Sequence, residues 1–121
     1  MDPIIVVGMC PSGVPIVPGK RNPTLRNLEI WMDALKVRHY SFINTFDFPG
    51  KPIKKNVHFG RLQNACIGYN TVLALGNFAS EMLGILNINH YMMPHPSPLN
   101  RKLNDKKWVA QMLKECSRYI K

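Results

Sequence analysis

Pro3-Ile4-Ile5-Val6-Val7-Gly8 is a short, continuous β-branched run ended by glycine, the pattern of a strand buried on both faces of a parallel sheet. From Met9 to Pro23 the chain is dense in proline and glycine, which excludes helix and regular sheet and predicts a long loop. Thr24 offers an N-cap oxygen, and Leu25, Leu28, Met32 and Leu35 then recur at helical spacing, with Trp31 widening the stripe. Three more strands are predicted at Tyr40–Asn44, Thr71–Leu75 and His90–Met93.

Between the strands the spacing turns helical. Asn77 is placed to cap a helix bearing Phe78, Met82, Leu83 and Leu86 on one face. Asn104 or Asp105 is placed to start the last helix, whose apolar face is Val109, Met112, Leu113, Cys116 and Ile120. Phe46 to Asn56 reads as a loop and His58 to Ile67 as a weaker helix. Strand and helix alternate to the end, which implies right-handed crossovers and a sheet covered on both faces. The expected fold is a single α/β domain spanning residues 1–121, a three-layer α/β/α sandwich around a four-stranded, mainly parallel sheet.

Composition narrows the function classes. Of 121 residues, 45% are apolar and 19% charged, enough for a core of ordinary density. Lysine and arginine total 16 against 7 acidic residues, so 16 − 7 leaves +9. That excess favours a polyanionic partner. The cations are spread from Lys20 to Lys121 with no long run, so they belong to a folded surface. No apolar run approaches a membrane span, and Asp2 stands where a signal peptide would be basic, so no membrane association and a cytoplasmic location are expected. Cys10, Cys66 and Cys116 are odd in number and widely spaced, which predicts reduced thiols and no metal or other cofactor. His90 and His95, without a supporting cysteine or carboxylate cluster, fall short of a zinc site.

Function is expected in the loops at the carboxyl ends of the strands. Two stand out: Gly8-Met9-Cys10-Pro11-Ser12-Gly13 after the first strand, and Pro94-His95-Pro96-Ser97-Pro98-Leu99-Asn100 after the last. In an open parallel sheet these ends share one edge, so the two loops are expected to face each other across a crevice. Read alone, each is an ordinary Gly-Pro-Ser connection.

Together, these loops make the chain resemble the uracil-DNA glycosylase superfamily, whose members carry a G-x-x-P loop after the first strand and an H-P-S-P loop after the last. Ser41-Phe42-Ile43-Asn44 looks like the family's strand ending in a base-reading asparagine, and Val72 to Ala79 looks like its strand-to-helix step. The order of the four segments is also the family's, and the match runs nearly the full length. The two loops look closest to the single-strand-selective and mismatch-specific branches.

The resemblance implies hydrolysis of the N-glycosidic bond of uracil or a modified pyrimidine in DNA, with the nucleotide extruded into a pocket. Asn44 would read the base edge, because a carboxamide offers both a donor and an acceptor. His95, stiffened by two prolines, would aim a neutral imidazole N–H at the developing oxyanion. Ser12, Ser97, Lys20 and Arg101 would hold phosphates, and Leu99 would wedge into the base stack. Met9 and Phe46 are the expected base contacts. The family often draws its stacking phenylalanine from the first loop, where Val14-Pro15-Ile16-Val17 has none.

Cys10 departs from the pattern: strongly active members often place Asp or Asn there to orient water, and a thiol serves that role poorly. Either Cys10 takes part in catalysis or it is a packing residue, with Asn22, Asn27 or Asp47 as substitutes for the water-activating group. Many members are also longer, and a chain trimmed to the core suits single-stranded or unusual DNA. The competing readings are a catalytically silent nucleic-acid- or nucleotide-binding module and an enzyme of free nucleotides. A monomer is expected in each case.

Overall fold

In a computed structural model, residues 3–10, 23–97 and 100–120 are described. They form four strands, β1 (Ile4–Gly8), β2 (Ser41–Asn44), β3 (Thr71–Leu75) and β4 (Tyr91–Met93), in the sheet order β2-β1-β3-β4. Every pairing is parallel, so the sheet is all-parallel where a mainly parallel one was expected. The helices are α1 (Pro23–Ala34), α2 (Phe59–Cys66), α3 (Gly76–Ile85) and α4 (Lys106–Ile120), with 3₁₀ turns at Lys54–Asn56 and Arg101–Asn104. The chain is therefore an α/β protein. It divides into two compact units, one of Met1–Val14 with His39–Pro94, the other of Pro15–Arg38 with His95–Lys121.

The first unit contains the whole sheet. β1 and β3 occupy its middle, and all five residues of each are buried, as continuous apolar runs in a parallel sheet should be. Ile5, Val7, Val72 and Ala74 share one face and pack with Leu62 and Cys66 of α2 and Ala79, Met82 and Leu83 of α3. The alternate positions Ile4, Val6, Leu73 and Leu75 are equally buried. β2 and β4 are the edges, and each leaves one large side chain out, Phe42 and Met92.

α2 begins where His58 caps it, the ring Nδ1 accepting the Arg61 N–H at 3.0 Å. α3 starts one residue before the expected cap. The strand ends at Leu75 and the helix opens on Gly76, whose φ of 87° turns the chain from strand to helix with no intervening loop. Asn77 thus lies inside the helix and caps nothing. α3 closes with Asn87 in the left-handed region (φ 57°) and Ile88 N–H donating to Leu83 O at 3.0 Å, a Schellman stop that asparagine tolerates.

The second unit contains α1 and α4. Leu28, Trp31 and Met32 of α1 are buried, but Leu25, expected on the same stripe, is 44% exposed. Pro23 is the first described residue of α1, so Thr24 lies within the helix and does not precede it. Of the two candidate starts for α4, Asp105 is the one used: its Oδ1 accepts the Trp108 N–H at 3.1 Å. Met112 and Cys116 are buried as the spacing predicts, and burial pushes the Cys116 thiol up to about 11. Cys66, in the first unit, is raised for the same reason. Among the described residues no helix is long and apolar enough to cross a membrane.

The stop of α1 repeats that of α3 with a less suitable residue. Lys36 has φ 61°, and Val37 N–H donates to Met32 O at 2.9 Å. A lysine pays a steric cost in this region that glycine avoids. Lys36→Gly is expected to stabilise the protein by about 1 kcal/mol in urea denaturation. A loss of stability would show that the Lys36 side chain contributes more than its backbone strain costs.

Candidate functional site

In the first unit the carboxyl ends of β1 and β2 lie side by side, Gly8 opposite Asn44 in the parallel register. Phe42 and Asn44 are two apart on a strand and so project from the same face. They meet over Gly8: a Cβ placed there would lie 2.6 Å from Asn44 Oδ1 and 2.9 Å from Phe42 Cζ. Glycine at this position is what lets the carboxamide and the ring close over the strand end. Among the described residues the Asn44 carboxamide has no hydrogen-bond partner, so its donor and acceptor are both available.

The backbone beneath is firmly held. Thr45, 0% exposed, donates its N–H to Gly8 O at 3.0 Å and to Met9 O at 3.1 Å, and its hydroxyl also donates to Met9 O. Arg61 Nη2 donates to Asn44 O at 2.9 Å. Thr45 and Arg61 therefore fix the strand end that carries Asn44, and neither was singled out from the sequence for this role. Thr45 had a weak signal, a hydroxyl between Asn44 and the apolar Phe46. Arg61 had none, because its partner is a backbone carbonyl.

One expectation in this unit changes. Phe46 is 1% exposed, packed with Phe48 (ring centroids 4.9 Å) and edge-on to Phe78 (6.4 Å), so it is a core residue with no free face to stack on a base. The exposed aromatics nearest in sequence are Phe42 at 40% and Phe48 at 45%. Cys10 is half-buried against the α2/α3 core, and its thiol donates to Gly50 O at 3.6 Å. These contacts fit the packing role, one of the two open to it, and tie the first loop to the β2–α2 connection. Met9 is half-buried, and its carbonyl is clamped by Thr45.

The second unit contains His95, two residues past the end of β4. Its Nδ1 accepts the Ser97 N–H at 3.1 Å. A nitrogen that accepts a hydrogen bond carries a lone pair, so the proton of the neutral ring sits on Nε2. Partial burial disfavours the cation and lowers the His95 pKa below its ordinary 6.5. The ring is thus a neutral N–H donor at physiological pH.

The loop around His95 is bonded on both sides. Asn100 Nδ2 donates to His95 O at 3.1 Å, Asn100 N–H donates to Ser97 O at 2.9 Å, and Asn27 Nδ2 of α1 donates to Pro96 O at 2.8 Å. Asn27, weighed above as a group to activate water, is a positioning residue for this loop. Asp47, the other described candidate, is exposed. Ser97 serves the loop through its N–H. Arg101 is exposed on the 3₁₀ turn, and Lys102 sits with its ammonium 5.5 Å from the centre of the Trp108 ring. Ser12, Lys20, Asn22 and Leu99 lie outside the described residues.

Both nitrogens of His90 are engaged, Nε2 with Ser80 Oγ at 2.7 Å and Nδ1 with Ile88 O at 2.8 Å, which makes this ring a structural link between α3 and β4. No group of three or more His, Cys, Asp or Glu side chains that could hold a metal occurs among the described residues. No family model matches the chain, and no curated protein matches it.

The atoms that crowd a Cβ at Gly8 are the far ends of two side chains, so they can swing aside. Gly8→Ala is therefore expected to cost only about 1 kcal/mol, the low end for overpacking, while displacing Asn44 and Phe42. Urea denaturation measures the first effect, and the Asn44 side-chain amide resonances report the second. Unmoved resonances would refute the close approach over Gly8.

Proposed function

We propose that the chain is a small DNA glycosylase of the uracil-DNA glycosylase type, acting as a cytoplasmic monomer on uracil or a modified pyrimidine in single-stranded or damaged DNA. The observation that carries this reading is the His95 ring, neutral and with its proton on the nitrogen that does not bond to Ser97. The available carboxamide of Asn44 at the end of β2 supports it, as does a four-stranded parallel sheet of the kind the resemblance implies. On this reading the helices complete a three-layer α/β/α sandwich.

In the reaction the bond from C1′ of the sugar to the base nitrogen breaks, and its electron pair leaves with the base. Water supplies hydroxide to C1′, and its proton goes to the base or to solvent. The leaving base carries negative charge on its oxygens in the transition state, and a fixed neutral N–H donor such as His95 Nε2 stabilises that charge without protonating the base. Asn44 would read the edge of the base, accepting from its N–H and donating to its carbonyl. Arg61 and Thr45 serve by holding the backbone of that strand end.

A second reading draws on Cys10. Its thiol is committed to Gly50 O and to core packing, which leaves the usual water-orienting position without a carboxylate or amide. A silent relative that binds nucleic acid without cutting the bond would share every other feature.

The two are separated by incubating the protein with single- and double-stranded oligonucleotides bearing uracil, hypoxanthine or modified pyrimidines, then cleaving abasic sites with alkali. The glycosylase gives strand scission on at least one. None on any substrate, with oligonucleotide binding intact, selects the silent module. For an active enzyme, His95→Ala is expected to lower the rate about 100- to 1000-fold, and Asn44→Ala to abolish base selectivity, with unchanged melting.

The lowered pKa of His95 sets the pH dependence. The ring stays neutral as pH falls through 6.5, so the acid limb that it controls lies below 6.5. Over the same window the unfolded chain takes up a proton that the native ring refuses. Its contribution to stability is therefore full above 6.5 and declines as pH drops toward the native value. An acid limb at or above 6.5 that vanishes in His95→Ala would contradict the assignment.

A further inference from the structure

The connection from β2 to α2 is built as a surface of its own. Phe46 to His58 contains Asp47 against Lys51, Lys54 and Lys55, so 3 − 1 leaves +2, and all four of these side chains are exposed. Phe48 stands among them with 45% of its surface exposed. Its ring is backed by the buried ring of Phe46 at 4.9 Å and by Gly50, where a Cβ would lie 3.3 Å from Phe48 Cε2.

The backbone holds its shape without help from a sheet. Ile53 N–H and Asn56 Nδ2 both donate to Lys51 O, at 2.8 and 2.9 Å, Asn56 N–H donates to Ile53 O at 3.0 Å, and Cys10 Sγ reaches Gly50 O. An aromatic ring packed on Phe46 and Gly50 yet 45% exposed, on a braced turn that also carries three exposed lysines, is more than a basic surface kept for solubility. Solubility needs neither the exposed ring nor the bracing.

We propose that this connection is a binding platform for a single-stranded polynucleotide, with Phe48 stacking on a base and Lys51, Lys54 and Lys55 holding neighbouring phosphates. The proposal rests on the nucleic-acid reading above and extends it to a surface outside the resembled motifs. The chemistry selects a single strand. A stacking aromatic needs an unpaired base face, which a duplex hides, while the phosphates offer the negative charge that three lysines require. Because the connection continues directly from Asn44 and Thr45, a strand held here runs beside the base-reading residue of the same unit.

The test is fluorescence anisotropy with a labelled oligothymidylate of about 12 nucleotides and a duplex of the same length, across a salt series. The chain is compared with Phe48→Ala, Phe48→Trp and the triple Lys51→Gln, Lys54→Gln, Lys55→Gln, each checked for an unchanged melting curve. Phe48→Ala is expected to weaken single-strand binding about tenfold, and Phe48→Trp to preserve it. Loss of three phosphate contacts, each worth a slope of about −0.7, flattens log affinity against log salt by about 2 units in the triple variant.

Wild-type affinity and slope in the triple, with loss in a charge-reversed Arg101 and Lys102 variant, overturns the platform, as does Phe48→Ala binding like wild type. The platform is equally overturned if the unaltered chain binds no oligonucleotide, or binds only vesicles of phosphatidylserine and phosphatidylcholine. Base excision, assayed on the same proteins, judges the other reading separately. Platform variants that lose single-strand binding in a chain with no excision support the platform while refuting the glycosylase.

Discussion

β1 makes parallel ladders on both of its edges and presents apolar side chains on both of its faces, so water reaches none of its backbone polar groups. Each N–H and C=O must find a partner in β2 or β3, and the register of the sheet is thereby locked. Slipping either neighbour by one residue would exchange the side chains that each face of the sheet presents to its packed partners. The consequence is felt at the carboxyl edge. With Val7 opposite Ile43, Gly8 must stand opposite Asn44, and the candidate base-reading residue is placed by core packing some residues away. Thr45 extends the lock past the last pair by engaging the carbonyls of Gly8 and Met9.

That dependence explains what was legible in the sequence. The continuous run of β1, the alternation of strands with helical stripes and the faces of α3 and α4 all follow from burial, which periodicity reports directly. The errors lie where a local backbone preference overrides a side-chain signal. Asn77 has the chemistry of a cap, but Gly76 turns the chain first by adopting a positive φ. Leu25 carries the helical spacing yet sits at the first turn of α1, where the stripe has not begun to be covered.

The candidate site was less legible for a related reason. Asn44 and His95 are polar residues at strand ends, a pattern that spacing and punctuation mark. Phe46 was misread because an aromatic two residues beyond a binding residue looks the same whether it faces a ligand or the core. Burial decides, and alternation along so short a segment does not reveal it. The groups that position Asn44 in one unit, Thr45 and Arg61, and the His95 loop in the other, Asn27 and Asn100, act on backbone carbonyls. A carbonyl is present at every residue, so the sequence gives no sign of which one is used.

The way His95 is oriented bears on what it can do. Histidines in catalytic sites are often held by a carboxylate, which favours the cation and raises the pKa. Here the orienting group is the Ser97 backbone N–H, which can bond only to a lone pair and so penalises protonation of Nδ1. Burial acts in the same direction, and the two prolines flanking the ring restrict the backbone that would have to move to break the bond. Both influences hold the ring neutral with its proton on Nε2. Such a ring is a poor general acid near neutral pH and a good fixed dipole. On the proposed glycosylase reading such a dipole suits a leaving group that departs as a stabilised anion, which needs charge stabilisation more than a proton.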